Sequence, residues 1–257
     1  TVLDKSYAIQ RNFNMITKQG AELSPAAKAF IEFALSDAAT EIIANAGAAG
    51  LLSGFGEGIK SAATPTVGLG GSASVGAGGG VGSILVQLAR QLTQLTVIGT
   101  ASRPETVDWV RNLGAHHVID HSRPLSEELR RIGVSHVHYV ASLTQTDTHL
   151  AEIVESLIPQ GRLALIDDPA PFDVKLLKRK SISLHWELMF TRAIYETPDM
   201  IAQHRILEEL ATLLDRGTLR STLAEHYGTI NADNLRRAHA LIESGAARGK
   251  IVLEGWE

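Results

Sequence analysis

The chain has 257 residues, of which 44% are hydrophobic and 20% charged, a composition that supplies a core and argues against a disordered chain. Its 24 basic and 28 acidic residues leave a formal net charge of -4, so no basic excess drives nucleic-acid binding. The absence of cysteine excludes disulfides and cysteine-ligated zinc, and no apolar run reaches the roughly 18 residues of a membrane span. With no visible signal peptide, we expect a cytoplasmic protein without nucleic-acid or membrane partners.

The first part of the chain divides at a glycine-rich stretch. Residues 6–17 show strand-like alternation, and residues 24–47 have helical periodicity. Glycines then concentrate between residues 53 and 83, where large apolar residues are sparse. Three units are therefore expected: a short, mainly helical appendage over residues 1–52, a junction over residues 53–75, and a larger domain over residues 76–257.

Strands and helices alternate after the junction. Segments with apolar residues at helical spacing are separated by short β-branched runs. The predicted helices span residues 80–92, 104–113, 125–132, 147–157, 198–216 and 231–244. The predicted strands span residues 95–99, 117–119, 137–140, 162–166, 181–186 and 250–253. This alternation predicts an α/β fold with a Rossmann-like, doubly wound parallel sheet.

The sharpest local signal is the sequence GAGGGVGS at residues 76–83, which opens the first of these helices. Glycines let a backbone approach a diphosphate closely, and a helix N-terminus offers unpaired N–H groups and a positive dipole end. The usual G-x-G-x-x-G spacing is imperfect because Ala77 stands at its first glycine position. The segment indicates a diphosphate-binding loop, with a flexible linker as the alternative.

The end of the next predicted strand carries the residues that would distinguish two dinucleotides. An acidic residue at this place favours NAD, whereas an arginine can hold the 2′-phosphate of NADP. No Asp or Glu occurs here until Glu105, and Ser102 and Arg103 precede it. The pair favours NADP(H); the alternative is that Arg103 only caps a surface loop.

These features together resemble the cofactor domain and C-terminal tail of the medium-chain dehydrogenase/reductase superfamily, in its zinc-type alcohol dehydrogenase and quinone oxidoreductase branch. The similar sequence covers residues 76–257 and includes GAGGGVGSILVQLARQ, GRLALIDDP, SISLHWELMFTR and AHALIESGAARGKIVLEGW. The resemblance implies a Rossmann domain that binds NADP(H) and transfers a hydride to a carbonyl, a quinone or a conjugated alkene such as an enal.

The resemblance also implies positions for cofactor contacts, all at or near the ends of strands. The diphosphate would be held by Gly79, Gly80, Val81 and Gly82, and the adenosine ribose would face Ser102 and Arg103. Ala141 and Ser142 would follow the fourth strand and Ile166 and Asp167 the fifth, with Trp186 and Phe190 near the nicotinamide. No catalytic residue is assigned.

The sequence also departs from the family pattern. The family's catalytic domain has no counterpart before residue 76, and no G-H-E motif occurs. The family's first Rossmann strand falls at about residues 68–75, where the sequence GLGGSASV is poor in strand formers. We therefore expect an incomplete active site without zinc, and a homo-oligomer in which the tail at residues 246–256 finds a new docking surface.

A second resemblance concerns the appendage. Residues 3–52 resemble the C-terminal segment of a periplasmic phosphate-binding protein of an ABC transporter, on SYAIQRNFNMITKQG and LSPAAKAFIEFALSDAATEIIANAG. The segment carries few ligand residues, so it implies no phosphate site. A composite chain would explain both resemblances; ordinary amphipathic helices are the alternative.

Other titratable residues suggest weaker hypotheses. Two histidine groups, at residues 116–121 and 136–138, could hold a metal, but we expect none to be bound. Asp167 and Asp168 could form an acid/base pair, although cofactor-edge contacts or helix capping are favoured, and Glu187 could lie near the nicotinamide. The rival functions are a non-catalytic dinucleotide-binding module and a solute-binding protein fragment.

Overall fold

The computed structural model describes residues 72–256, and these form two parallel sheets with flanking helices. The larger sheet has six strands in the order β3-β2-β1-β4-β5-β6. Its strands are β1 (Ser72–Gly76), β2 (Thr96–Thr100), β3 (His117–Ile119), β4 (Val137–Ser142), β5 (Leu157–Leu165) and β6 (Ser183–Trp186). Strand order reverses on either side of β1, which is the doubly wound Rossmann arrangement. The predicted α/β fold class is confirmed.

The helices and the second sheet complete the described part. The helices are α1 (Gly80–Leu92), α2 (Pro104–Asn112), α3 (Leu125–Arg131), α4 (Thr146–Ser156), α5 (Lys175–Lys178), α6 (Thr191–Ile194), α7 (Ile201–Asp215) and α8 (Ala232–Glu243). The second sheet pairs β7 (Leu223–His226) with β8 (Lys250–Val252) in parallel. No helix within residues 72–256 is long and apolar enough to cross a membrane.

β1, whose sequence is poor in strand-forming residues, lies at the centre of the larger sheet. β1 pairs with β2 from Ser72 opposite Thr96 to Gly76 opposite Thr100, and its other edge pairs with β4. Because both edges donate and accept ladder hydrogen bonds, pairing offsets the low intrinsic strand propensity of SASVG. β1 therefore forms from the last four residues of the predicted glycine-rich junction together with Gly76, the first residue of the predicted larger domain.

The sheet is buried on both faces, as parallel sheets are. On one face, β2 contributes Val97 to a cluster with Val86 of α1 and Val110 of α2. On the other face, Ile98 of the same strand joins a larger cluster with residues of α3 and α4, including Leu129 and Leu150. The alternation of β2 side chains thus separates two apolar layers.

Several predicted boundaries need correction. The predicted helix 147–157 ends at Ser156, and β5 follows at once, so the predicted strand 162–166 extends back to Leu157. The Lys180 side chain holds this junction, because its Nζ donates to the carbonyl oxygens of Val154 and Leu157, both at 2.9 Å. The predicted strand 181–186 begins at Ser183, since Ser181 has a φ of 52°, outside the strand region.

Three short elements were not predicted, and the predictions for the first part of the chain concern residues that the structure does not describe. β7 and the four-residue helices α5 and α6 were not predicted, because short, half-polar segments give no clear periodicity. The appendage, the predicted strand at residues 6–17 and the helices at residues 24–47 lie outside the described residues.

Gly82 provides a test of how α1 is seated on β1. A Cβ atom at Gly82 would collide with the carbonyl oxygen of Gly76 and lie 2.7 Å from Ala77 Cα. We expect Gly82→Ala to lower the free energy of unfolding by about 1–3 kcal/mol in urea denaturation, because the backbone must shift. Gly79→Ser is the control: Gly79 has open space and serine is a favoured N-cap, so we expect a change within about 0.5 kcal/mol. Equal losses for the two variants would contradict this packing.

Candidate functional site

The predicted site residues gather at the carboxyl edge of the larger sheet. α1 begins there, directly after β1, with Gly79 as its extended N-cap at φ -79° and ψ -179°. Nothing lies within 4 Å of the position that a Cβ would take at Gly79, so the loop is open on that side. The first helical bond runs from Ser83 N to Gly79 O at 2.9 Å, which leaves the preceding N–H groups at the helix end available to a ligand.

Contacts behind the loop fix its shape. The indole nitrogen of Trp109, on α2, donates to Ser83 Oγ at 2.8 Å. Gly249 N donates to Gly78 O at 3.0 Å, so the residue before β8 bonds directly to the glycine loop. The loop is therefore supported from behind by α2 and by the residue before β8, while its side at Gly79 stays open.

Lys250 is a site residue that the sequence analysis missed. A Cβ built at Gly80 would lie 2.6 Å from Lys250 Cε and 2.8 Å from Lys250 Nζ, so the lysine side chain lies against the start of α1. Burial lowers the pKa of Lys250. A cation beside the positive end of a helix dipole is unfavourable unless an anion joins them. The available signal was the Gly-Lys pair opening the last strand, although only the fold shows what it faces.

The residues after β2 reach toward the C-terminal end of α8. Arg103 is the N-cap of α2, and its Nη2 donates to the carbonyl oxygen of Gly245 at 3.2 Å. This bond is the loop-capping contact foreseen as an alternative, but a guanidinium has five N–H donors and keeps others for a ligand. Ser102 is exposed beside it, and no acidic residue stands between them and β2.

Asp167 joins the ends of β4 and β5. Its two carboxylate oxygens accept from Thr146 N at 3.0 Å and from Thr146 Oγ1 at 2.6 Å. Thr146 Oγ1 also lies 2.6 Å from Ser142 Oγ, at the end of β4. Asp167 thus holds the first residue of α4, as the capping interpretation expected, while Asp168 is exposed beside it. This arrangement gives Asp167 a positioning role, since both of its carboxylate oxygens accept hydrogen bonds from Thr146.

The remaining predicted residues occupy the same edge at different depths. Ala141 is buried within β4, and Ile166 packs partly buried against it and Ala164. Trp186 ends β6 and is 57% exposed, whereas Phe190 is half-buried just before α6.

Glu187 follows β6 and is tied to its neighbour strand. Its backbone nitrogen donates to Leu165 O at 2.9 Å. Burial raises the pKa of the Glu187 carboxyl, and the nearby Arg192 opposes that shift. This half-buried carboxyl therefore lies at the same edge as Trp186.

The chain is similar to known proteins of one family. A profile described as zinc-binding dehydrogenase matches residues 113–253. The chain belongs to the zinc-binding dehydrogenase family. Among curated relatives, a zinc-type alcohol dehydrogenase-like protein of Staphylococcus aureus strain MSSA476 is 36% identical over 179 residues, which cover 68% of this chain and 52% of the relative. The chain therefore spans about half the length of the curated relatives it matches.

Solved structures agree with this family. A protein of Rhizobium etli CFN 42, described as a candidate zinc-dependent alcohol dehydrogenase, is 55% identical with a TM-score of 0.70, covering 76% of this chain and 57% of that one. A mycobacterial protein solved in complex with NADPH is 26% identical with a TM-score of 0.59, covering 79% of this chain and 62% of that one. The structural similarity therefore extends beyond residues 113–253, the segment that the family profile matches.

The buried carboxylate of Glu128 holds the loop after β3. Glu128 accepts hydrogen bonds from Asp120 N at 3.0 Å and from Arg131 at 2.8 Å and 3.0 Å. The hydrogen bonds from Arg131 and from the Asp120 backbone lower the pKa of Glu128 to about 2. Asp120 in turn accepts from the backbone and hydroxyl of Ser122.

The lowered pKa of Glu128 predicts that the fold loses stability in acid. Because its folded-state pKa of about 2 lies below the ordinary 4.5, the stabilisation is full above the ordinary value and is lost as pH falls toward 2. We expect Glu128→Gln to lower the free energy of unfolding at pH 7 by about 1.5–3 kcal/mol, with the difference shrinking in acid. The exposed neighbour variant Glu127→Gln should change little, and a loss that does not depend on pH would contradict this role.

The histidine groups do not converge in the described residues. His116 Nδ1 accepts from Val97 N at 3.0 Å at the amino end of β3, whereas His121 follows the carboxyl end of that strand. His136 and His138 lie at the amino end of β4. Within residues 72–256, no group of three or more histidine, aspartate or glutamate side chains could hold a metal ion.

These observations support a test for zinc, which the family description names. We expect elemental analysis of the purified, dialysed chain to find no stoichiometric zinc, because the sequence has no cysteine and residues 72–256 hold no group of three or more histidine, aspartate or glutamate side chains that could bind the ion. A chain refolded with added zinc serves as the loading control. One zinc per chain that survives dialysis would contradict the expectation.

Proposed function

We propose that the chain binds NADP(H) and serves as the cofactor-holding part of an oxidoreductase. The observation that carries the proposal is the open N-terminus of α1 at Gly79, beside the Lys250 side chain, where strand order reverses in the sheet. Ligands of doubly wound folds bind at this switch point, outside the carboxyl ends of the strands. The NADPH bound in the related mycobacterial structure supports the choice of ligand.

The residues at the loop fit a diphosphate. The backbone N–H groups of Gly80, Val81 and Gly82 open the helix and would donate to its oxygens, while Lys250 would supply the countercharge. The same groups would hold NAD(H) equally well, so this half of the site does not choose between the two cofactors.

The residues that follow β2 would distinguish NADP(H) from NAD(H). Ser102 and the remaining guanidinium donors of Arg103 would hold a ribose 2′-phosphate, and no carboxylate is present there to accept a ribose hydroxyl. Because Arg103 already bonds to Gly245 O, its guanidinium is partly ordered before the ligand arrives. Less side-chain entropy is then lost on binding.

The other end of the site would hold the reacting ring. When bound, a reduced nicotinamide supplies a hydride to a carbonyl, a quinone or a conjugated alkene, and an oxidised nicotinamide accepts one in the reverse reaction. Ala141, Ser142 and Ile166 would line its approach, and Trp186 and Phe190 would cover it from the β6 side and exclude water. Asp167 would keep the ends of β4 and β5 together through Thr146.

Self-association is also part of this proposal. Among the described residues β6 is an edge strand of the larger sheet, and the exposed apolar side chains of Leu188 and Ile194 lie after it and on α6. Exposed apolar groups on an open edge favour pairing with another chain. A second copy of this chain would therefore cover that edge.

Substitutions of two cations test the assignment by their different patterns. We expect Arg103→Ala to weaken NADPH binding by about 1.5–3 kcal/mol, the range for a hydrogen bond to a charged group, and to leave NADH binding nearly unchanged. Lys250→Gln should weaken both cofactors to a similar degree. Isothermal titration calorimetry with both dinucleotides measures these effects.

A matched control is Arg111→Ala, at the other end of α2 from Arg103, where the guanidinium pairs with the exposed Asp108 at 3.6 Å. It should bind both cofactors like the unaltered chain. Equal losses of NADPH and NADH in Arg103→Ala would overturn the 2′-phosphate assignment, and no binding of either cofactor to the unaltered chain would overturn the proposed function.

A further inference from the structure

The side chains of His185 and Glu187 lie at the carboxyl end of β6, and the proposed function gives neither of them a role. In the parallel pairing of β5 with β6, Ala164 lies opposite His185. Ala164 belongs to the apolar cluster that contains Leu85 of α1, whereas Leu184 packs against the larger cluster on the other face. His185 therefore lies on the face of the sheet that α1 covers.

Glu187 continues the pairing of β6 with β5 by one residue. Its backbone nitrogen donates to Leu165 O at 2.9 Å, one residue beyond the end of the strand at Trp186. Because side chains alternate between the two faces of a strand, Glu187 falls on the same face as His185, about 7 Å further along. Both side chains are half-buried. They lie together at the sheet edge outside which doubly wound folds bind their ligands.

Both side chains have hydrogen-bonding capacity that the described part of the chain does not use. His185 Nε2 is buried and has no hydrogen-bond partner within residues 72–256. In the same range, no group donates a hydrogen bond to the Glu187 carboxyl. Buried polar atoms of native proteins are almost always paired with protein, water or ligand. Two neighbouring exceptions indicate a place for a polar group that these residues do not themselves supply.

The surroundings of Glu187 favour its neutral form. Burial raises the pKa of the carboxyl, and Arg192 of α6 opposes that shift. Arg192 Nε donates to Asp199 Oδ2 at 2.9 Å, so the charge of the guanidinium is already paired. Asp167, at the end of the neighbouring strand, accepts hydrogen bonds from Thr146. A protonated carboxyl can donate a hydrogen bond, which a carboxylate cannot.

We propose that Glu187 and His185 form a subsite for the carbonyl oxygen of the substrate, in which the neutral carboxyl and a ring N–H both donate to that oxygen. The proposal rests on the proposed function and names the substrate group that the β6 side of the site recognises. A carbonyl oxygen has two lone pairs, so it accepts from both groups when His185 carries a proton on Nε2. The His185 ring turns about χ2 to present Nε2 to the open end of the strand, and this torsion of histidine has a broad range.

The same chemistry selects against two other classes of ligand. An ammonium group has no lone pair to accept from these donors, and the Arg192 guanidinium near Glu187 disfavours a second cation. A substrate that offers only a carbon–carbon double bond has no oxygen for the two donors. Aldehydes, ketones, quinones and enals all carry the required group.

The subsite loses affinity for a carbonyl group as pH rises. Below the raised pKa of Glu187, the carboxyl is neutral and donates to the ligand oxygen. As pH rises through that pKa, the carboxylate forms, and its lone pairs repel those of the oxygen. A proton must then be taken up for the ligand to bind, so affinity falls by up to about tenfold per pH unit.

Calorimetric titration of the NADPH-loaded full chain with isobutyramide tests the proposal without turnover, because an amide carbonyl accepts hydrogen bonds but no hydride. We expect the dissociation constant of isobutyramide to rise about tenfold between pH 6 and pH 8. Isobutylamine, which has the same carbon skeleton and an ammonium group in place of the amide, should not bind at either pH. An isobutyramide dissociation constant that is the same at both pH values, or binding of isobutylamine, would overturn the proposal.

Three variants assign the effect to the two side chains. Glu187→Gln keeps an N–H donor and cannot ionise, so it should bind isobutyramide equally well at both pH values and more tightly than the unaltered chain at pH 8. His185→Phe keeps a planar ring without nitrogen and should weaken binding about fivefold at both pH values. Glu209→Gln, at an exposed position of α7, is the control and should keep the full pH dependence. A pH dependence that persists in Glu187→Gln would contradict the role of this carboxyl.

Titration with NADPH alone separates the two proposals. All three variants should bind NADPH like the unaltered chain, which shows that they are folded. If NADPH binds and isobutyramide does not, the proposed function stands and the carbonyl subsite falls. If NADPH does not bind the unaltered chain, both fall.

Discussion

The approach of α1 to the end of β1 is the constraint on which the rest of the site depends. At Gly82 the helix backbone lies so close to the Gly76 carbonyl that no side chain fits between them. This approach sets the direction of the helix axis and presents Gly79 and the first N–H groups to the switch point of the sheet. Trp109 and Gly249 then brace the loop from behind through Ser83 and Gly78. A longer distance between helix and strand would move the loop away from Lys250.

A second constraint acts at the other side of the switch point. The short hydrogen bonds that join Asp167, Thr146 and Ser142 unite the ends of β4 and β5 with the start of α4. Polar residues at this edge therefore act through geometry as much as through direct contact. Reading Asp167 and Asp168 as a catalytic pair would have overlooked that role.

Local chemistry explains which parts of the fold could be predicted from sequence. The bounds of α1 were predicted correctly because Gly79 and the amphipathic spacing of Leu85 and Leu88 are local signals. β1 could be located only by resemblance, since its stability comes from pairing on both edges. Lys250 at the loop was missed because its role depends on β8 returning to a helix far earlier in the chain. Periodicity describes neighbours in sequence and carries no information about such contacts.

The contacts that the last part of the chain makes with α1 and the glycine loop affect how the protein folds during synthesis. Gln87 in α1 exchanges two hydrogen bonds with the backbone of Arg220, across a separation of 133 residues, and Gly249 bonds to Gly78 still later in the chain. During translation, the glycine loop leaves the ribosome long before these partners exist. The larger sheet can assemble from β1 to β6 in order, but the loop acquires its final support only when the last strand emerges. A nascent chain halted before β8 would thus hold a nearly complete sheet whose ligand-binding end is still unsupported.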